Sequence, residues 1–368
     1  MESVTGAAEA MNKTFIHCPT TQEPETLFLL FVMIVEVIVG LSGNIVALWI
    51  FCFRMTFWKP HTLFLFNLVL ADFLLLISVP FRIDTHLRGD HWVFGQVWCR
   101  VNLFMLTVNR SASIAFMTAV ALNRYFKVVH PHHCVSRMTL TQAGCLAVLM
   151  WIVVIALRIP MLTTDLLHQG GNVSLCRSFD AYSVIPLTMK VHYVVFTAEF
   201  FLSWFVLLFC SARVTCYLRQ RRMDRQKKVR RAIRAVGVIS LVFTICFMPS
   251  VLTGLSGVYI RYFHPTDCKS YKLFTQLFKI CIGFTYLNSA LDPVVYSFSS
   301  SMFLDAIRSS ISRLGFKKKN GSAANNTASG KLGFTDSNSV VRARAENSNG
   351  ATEQGQEMLS SQGNLYKQ

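Results

Sequence analysis

Residues 62–83 read TLFLFNLVLADFLLLISVPFRI. A hydrocarbon core about 30 Å thick is crossed by roughly 20 apolar helical residues, and this run meets that length. Six further runs of the same kind lie at about 27–53, 97–128, 140–162, 188–217, 232–258 and 273–298. The whole chain agrees: 52% of its residues are hydrophobic and 15% charged, too apolar for an ordinary soluble domain of 368 residues. Mean hydropathy is +0.42. The predicted fold is an all-α membrane protein, a seven-transmembrane helix bundle over residues 27–300.

Residues 1–26 are polar, with Glu2, Glu9, Glu23 and Glu25 and no apolar core of a signal peptide, so the first helix is expected to direct insertion. The short connections set the orientation. On one side lie 13 basic residues: Arg54, Lys59, Lys127, Arg137 and nine between Arg219 and Arg234. The other side has 6: Arg88, Arg177, Lys190, Arg261, Lys269 and Lys272. The N-terminus is therefore expected outside the plasma membrane. Two glycosylation sequons, at Asn12 and Asn172, fall on that same side. The net charge of +17 sits mostly in membrane-flanking loops and the tail, which argues against a nucleic-acid partner.

After the last span, MFLDAIRSSISRLGF at 302–316 has the spacing of a short amphipathic helix on the inner leaflet, assigned to 301–316. Residues 317–368 are rich in Ser, Asn, Gly and charge, as in a disordered cytoplasmic tail. Of the 11 cysteines, Cys18, Cys99, Cys176 and Cys268 fall outside the membrane, where disulfides persist. Four cysteines allow three pairings; Cys99–Cys176 with Cys18–Cys268 is favoured. The other seven are expected free.

Ionisable residues within the spans carry the functional information, because each needs a partner or water. Arg110 follows Cys99 by 11 residues, about 16 Å down its helix, too deep to snorkel out easily. Its planar fork suits a ligand carboxylate; an internal ion pair with Glu199 or Asp84 is the structural alternative. Arg82, Lys279 and loop residue Arg177 are further basic candidates, with Phe104, Phe179, Leu103, Met105, Phe278 and Tyr286 as apolar walls. Such a site favours an amphipathic anion. Lower down, Asp72 and Asp292, with Ser113, Asn67, Asn288 and Ser289, could hold a sodium ion or a water-bridged network. No prosthetic-group or metal-ligand motif is present, and HExxH, GxSxG and phosphate-loop signatures are missing, so no enzyme is expected. A transporter is disfavoured by the odd span count and the lack of inverted repeats.

The marks GNIVALW at Asn44, LVLAD at Asp72, Asn123–Arg124–Tyr125, Trp151, FTICFMP ending at Pro249 and DPVVY at 292–296 fall in order, one set per helix. In this the chain resembles a rhodopsin-like (class A) G-protein-coupled receptor over about residues 27–316. WVFG at 92–95, LFMLTVNRSAS at 103–113 and EFFLSWFVLLFCSAR at 199–213 resemble the hydroxycarboxylic acid and oxoeicosanoid receptor group. VNLFML, ALNRY, FTQLF at 274–278 and TYLNS look nearest to the oxoeicosanoid receptor.

The resemblance implies a carboxylate ligand held by Arg110, with Ser178, Phe179 and Tyr286 helping to enclose it. It implies an oxo- or hydroxy-eicosanoid such as 5-oxo-ETE, with short hydroxycarboxylic or nicotinate-like acids as the alternative. An inhibitory (Gi) heterotrimer is the implied partner, and arrestin a further one. Arg124, Tyr296 and the basic stretch from Arg219 are expected to receive the G protein, with Pro249 as a hinge in the sixth helix. Three departures from the family pattern stand out: Ser203 for a proline, Phe247 for a tryptophan, and Asn123 for an aspartate. Asn123 cannot form an ion pair with Arg124 but can hydrogen-bond it, so normal coupling is expected, with room for elevated ligand-free signalling.

Overall fold

A hydrocarbon solvent cannot satisfy backbone N–H and C=O groups, so each apolar run must close its hydrogen bonds within itself. In the computed structural model they do. The structure describes residues 25–55, 57–170, 173–176, 187–220, 227–264, 266–300, 303–309 and 312. Seven long helices result: α1 Glu25–Trp49, α2 Pro60–Leu87, α3 Gly95–Val129, α4 Leu140–Arg158, α5 Leu187–Gln220, α6 Lys227–Phe263 and α7 Cys268–Ser299. A π-helical turn, Ile50–Arg54, extends α1.

Local chemistry starts several of them. Pro60 occupies the first turn of α2, where its missing N–H costs nothing. Thr139 and Gln142 form a reciprocal capping box at the start of α4. Asp267 caps α7 by accepting from the Ser270 N–H at 3.1 Å, and bonds to Ser270 hold its carboxyl below the usual carboxylate range.

By length and composition alone, six of the described helices are apolar enough to cross a membrane. The span within α7 falls short of that measure because Asn288, Ser289 and Asp292 interrupt it. All three are buried against the bundle, as is Tyr296 one turn on. Helix α7 packs on α1 and α6, while α3 touches α2, α4, α5 and α6. Large buried side chains such as Phe51, Phe116, Phe200, Phe243 and Phe247 fill the interior, and Leu, Ile, Val and Phe crowd the outer faces. That outward-facing apolar surface is what a lipid solvent requires.

Two features depart from an all-helical reading or extend it. Between α4 and α5 the chain makes an antiparallel hairpin, β1 Leu167–Gly170 and β2 Val173–Cys176. Its strands are four residues long, too short for periodicity to reveal. The hairpin is tied down by the Cys99–Cys176 disulfide and by the Trp92 N–H donating to the Ser174 carbonyl. Residues 303–309 are helical, within the segment expected to lie on the inner leaflet. The seven cysteines expected to be free are free. Cys18, Asn12 and Asn172 lie outside the described residues.

Candidate functional site

Arg110 projects from α3 into a cavity of about 550 Å³ whose other walls come from α5, α6 and Phe278 of α7. Its guanidinium carbon sits 3.5 Å from the centroid of the Phe196 ring. Cation–π contact of this kind steadies a guanidinium without neutralising it. Arg110 Nε is buried with no hydrogen-bond partner, and no carboxylate forms an ion pair with Arg110 among the described residues.

Both internal partners weighed for Arg110 are engaged elsewhere. Asp84 accepts from Arg88 Nε at 2.7 Å, one turn along the outer end of α2. Glu199 is paired with Arg158 and accepts from Ser111 Oγ at 2.9 Å. Arg158, 1% exposed, also donates to Ser111 Oγ from Nε at 3.1 Å and from Nη2 at 2.6 Å, and its Nη1 lies 3.0 Å from His192 Nδ1. Acceptance of that bond fixes the His192 proton on Nε2. Two arginines thus face one carboxylate, and the one left over lines the cavity. Arg158 is inconspicuous in the sequence because it closes α4, where a basic residue ordinarily reaches the surface. The detectable signal was its place inside the fourth apolar window.

The remaining ligand candidates are placed less simply. Arg82 donates to Asn102 Oδ1 at 3.0 Å and to the Cys176 carbonyl at 2.8 Å, and its guanidinium lies 5.7 Å from the Trp92 ring centroid. These bonds fasten the hairpin to α2 and α3. Tyr286 packs beside Leu29, Met33, Leu75 and Val79 and lies within electrostatic reach of Arg82 and Arg110. Phe104 packs against the main core. Lys279 is not part of the cavity wall; Lys190 is, a residue the sequence reading used only for topology. Arg177, Ser178 and Phe179 lie outside the described residues.

Below this region a second polar cluster joins α1, α2 and α7. Asp72 accepts from Ser289 Oγ at 2.8 Å and from the Tyr296 hydroxyl at 2.9 Å, and that hydroxyl stands 3.3 Å from Asn44 Oδ1. Asn44 Nδ2 donates to the carbonyls of Gly40 and Ser289 at 3.0 and 2.9 Å. Asn288 Nδ2 donates to Asp292 Oδ2 at 3.1 Å; Asp292 lies beside Asp72, and among the described residues Asp292 Oδ1, Asn288 Oδ1 and Ser113 Oγ are buried without a hydrogen-bond donor or acceptor of their own. Asn67 does not join them: it accepts from Trp151 Nε1 at 2.9 Å and links α2 to α4. Glu36 on α1 was also missed; it is fully buried and both its carboxylate oxygens lack partners.

At the cytoplasmic end two expectations need correction. Arg124 donates to the Ser299 carbonyl of α7, and both side-chain polar atoms of Asn123 are buried without partners, so Asn123 does not hold Arg124. The backbone carbonyl at the end of α7 offers the guanidinium an acceptor that needs no aspartate. Tyr296 is fully buried in the Asp72 cluster, its ring against Phe51 and Phe303, and so is not an inner-surface contact. Tyr125 lies 3.1 Å from His130 Nε2. Phe247 packs on Phe243, which stacks on Phe200 of α5, just below Pro249 on the cytoplasmic side. With Ser203 in place of proline, α5 is helical throughout.

Comparison with known proteins accounts for this arrangement. The family described as 7 transmembrane receptor (rhodopsin family) matches residues 43–296. Human hydroxycarboxylic acid receptor 2 is 44% identical over 292 residues, 79% of each chain. Human oxoeicosanoid receptor 1 is 39% identical over 290 residues, 79% of this chain and 74% of its own. The mouse 12-(S)-hydroxy-5,8,10,14-eicosatetraenoic acid receptor is 35% identical over 286 residues, 77% of this chain and 88% of its own. These identities do not separate the hydroxycarboxylic acid receptors from the eicosanoid receptors. The relatives are receptors, not enzymes, and a multi-pass helical membrane chain with a cavity among its helices is the form such receptors take. The chain belongs to the rhodopsin family of seven-transmembrane, G-protein-coupled receptors.

Proposed function

We propose that this receptor recognises a carboxylate-bearing lipid, an oxo- or hydroxy-eicosanoid, at the outer half of the bundle and signals through an inhibitory (Gi) protein. One observation carries the reading: Arg110, the unneutralised member of a buried charge cluster, faces a cavity walled by Phe196, Phe201, Val251 and Val258. A carboxylate there would complete the charge balance with two parallel hydrogen bonds, and an apolar chain would cover the walls. Short hydroxycarboxylic acids are the second reading, supported by the 44% identity to hydroxycarboxylic acid receptor 2.

The distribution of basic residues between the loops supports an N-terminus outside the membrane, in keeping with a receptor of the plasma membrane. Ligand must stabilise an active arrangement more than the resting one. Pro249 supplies the hinge in α6, directly below the cavity residues Ser250 and Val251. The unpartnered oxygens of Asp292, Asn288 and Ser113 are the ones that would hold a sodium ion between ligand site and cytoplasm.

The test measures nucleotide exchange on purified Gi, driven by carboxylic acids of increasing chain length, for wild type and Arg110→Gln. Loss of the charge-assisted pair is expected to weaken every active acid about a hundredfold. Full retention of the response in Arg110→Gln would falsify the anchor.

A further inference from the structure

The cavity beside Arg110 is bounded in an unusual way for a site reached only from water. On α5 the exposed residues Leu187, Val191, Val194, Ala198, Leu202, Phe205 and Phe209 recur at helical spacing and form one apolar stripe. Helix α6 has a matching stripe through Leu241, Ile245, Leu252, Leu255, Tyr259 and Tyr262. On a membrane-spanning helix such a stripe faces lipid. Val194 and Ala198 of the first stripe, and Leu255 and Tyr262 of the second, also line the cavity. Val194 is 68% exposed and Tyr262 54%. The cavity therefore reaches the lipid-facing surface through the crevice between α5 and α6, with Arg110 at its inner end and Lys190 among its lining residues.

We infer that this crevice is the binding site for the hydrocarbon chain of an amphipathic carboxylic acid, which enters from the bilayer with its carboxylate on Arg110 and its far end toward the lipid. The inference rests on the reading of Arg110 as the anchor. Charge complementarity selects the occupant: an ordinary lipid chain would leave the guanidinium without an anion, whereas a long-chain acid satisfies both ends. Each methylene drawn into the crevice adds apolar contact, and the open outer end removes any sharp limit on chain length.

The experiment uses the full-length receptor in phospholipid nanodiscs and measures binding of butyric, lauric and arachidonic acid to wild type, Ala198→Trp, Leu255→Trp, Leu202→Trp and Arg110→Gln. Leu202→Trp makes the same exchange as Leu255→Trp at an exposed position outside the cavity lining, which controls for folding and expression. Wild type is expected to bind more tightly from butyric to arachidonic acid. Ala198→Trp and Leu255→Trp should weaken arachidonic acid about tenfold and leave butyric acid within about twofold. Leu202→Trp should change neither. If both tryptophans in the crevice leave arachidonic acid binding intact while Arg110→Gln abolishes it, the crevice is wrong and the anchor stands. If Arg110→Gln retains arachidonic acid binding, anchor and inference both fall. An equal loss for short and long acids, or no gain with chain length in wild type, also overturns the inference.

Discussion

The two buried polar clusters have opposite bookkeeping. Around Asp72, hydroxyls from Ser289 and Tyr296 answer both oxygens of one carboxylate, and Asn44 ties the same helices together through backbone carbonyls. Around Glu199, one carboxylate is already taken by Arg158 and Ser111, and Arg110 is left without an anion. The inner cluster latches α1, α2 and α7 mostly to one another. The outer cluster has a surplus cation and the inner one surplus acceptors, on Asp292, Asn288 and Ser113, so in a low-dielectric interior the two ask for counter-charges of opposite sign.

The contrast can be broken first at Arg158. Arg158→Met should free Glu199 to turn toward Arg110, and carboxylate affinity should fall about tenfold or more, since a buried partner is lost to an internal pair. Adding Glu199→Gln to that variant removes the competing anion and should restore binding. A double variant as impaired as the single one, with both at wild-type levels in the membrane, would mean that Arg158 acts only through packing.

A smaller effect on ligand is expected from the latch. Asp72→Ala leaves the buried Ser289 hydroxyl without this acceptor and the Tyr296 hydroxyl with only Asn44 Oδ1 at 3.3 Å, and should lower thermal stability by about 2 kcal/mol. Carboxylate affinity should change less than about twofold, because the two clusters share no partner. A tenfold loss of affinity in a well-folded Asp72→Ala receptor would show that the clusters are coupled rather than separate.

Smallest of all should be Asn123→Asp. Both polar atoms of Asn123 are unpartnered, so this is a third place where a buried requirement stands open. A carboxylate there can draw Arg124 from the Ser299 carbonyl into an ion pair, and ligand-free nucleotide exchange is expected to fall about twofold. Unchanged or raised exchange would count against the idea that the asparagine loosens the resting state.

Much of this architecture was legible residue by residue. Seven apolar runs, the depth of Arg110, the carboxylates of α2 and α7, the Cys99–Cys176 bond and the seven free thiols were all read from positions in the chain, and the structure has them there. The hairpin was not legible, because four-residue strands pinned by a disulfide leave little pattern. Partner choice was harder still. Position in the chain groups Asn67 with Asp72, yet Asn67 bonds Trp151; it makes Arg82 a ligand candidate, yet Arg82 fastens the hairpin; and it puts Tyr296 at the cytoplasmic face, yet Tyr296 sits in the latch.

What the sequence determined by itself is the solvent each stretch must live in, and therefore the spans and the charges that cannot face lipid. Those follow from the cost of unsatisfied backbone and bare charge in hydrocarbon, which is a property of a single run of residues. Only the tertiary structure decided which buried charge is already matched. Glu199 meets Ser111 across 88 residues of chain and Arg158 across 41, on helices whose relative rotation no single run encodes. Because that rotation gives Glu199 to Arg158, Arg110 is the cation left without a paired carboxylate among the described residues.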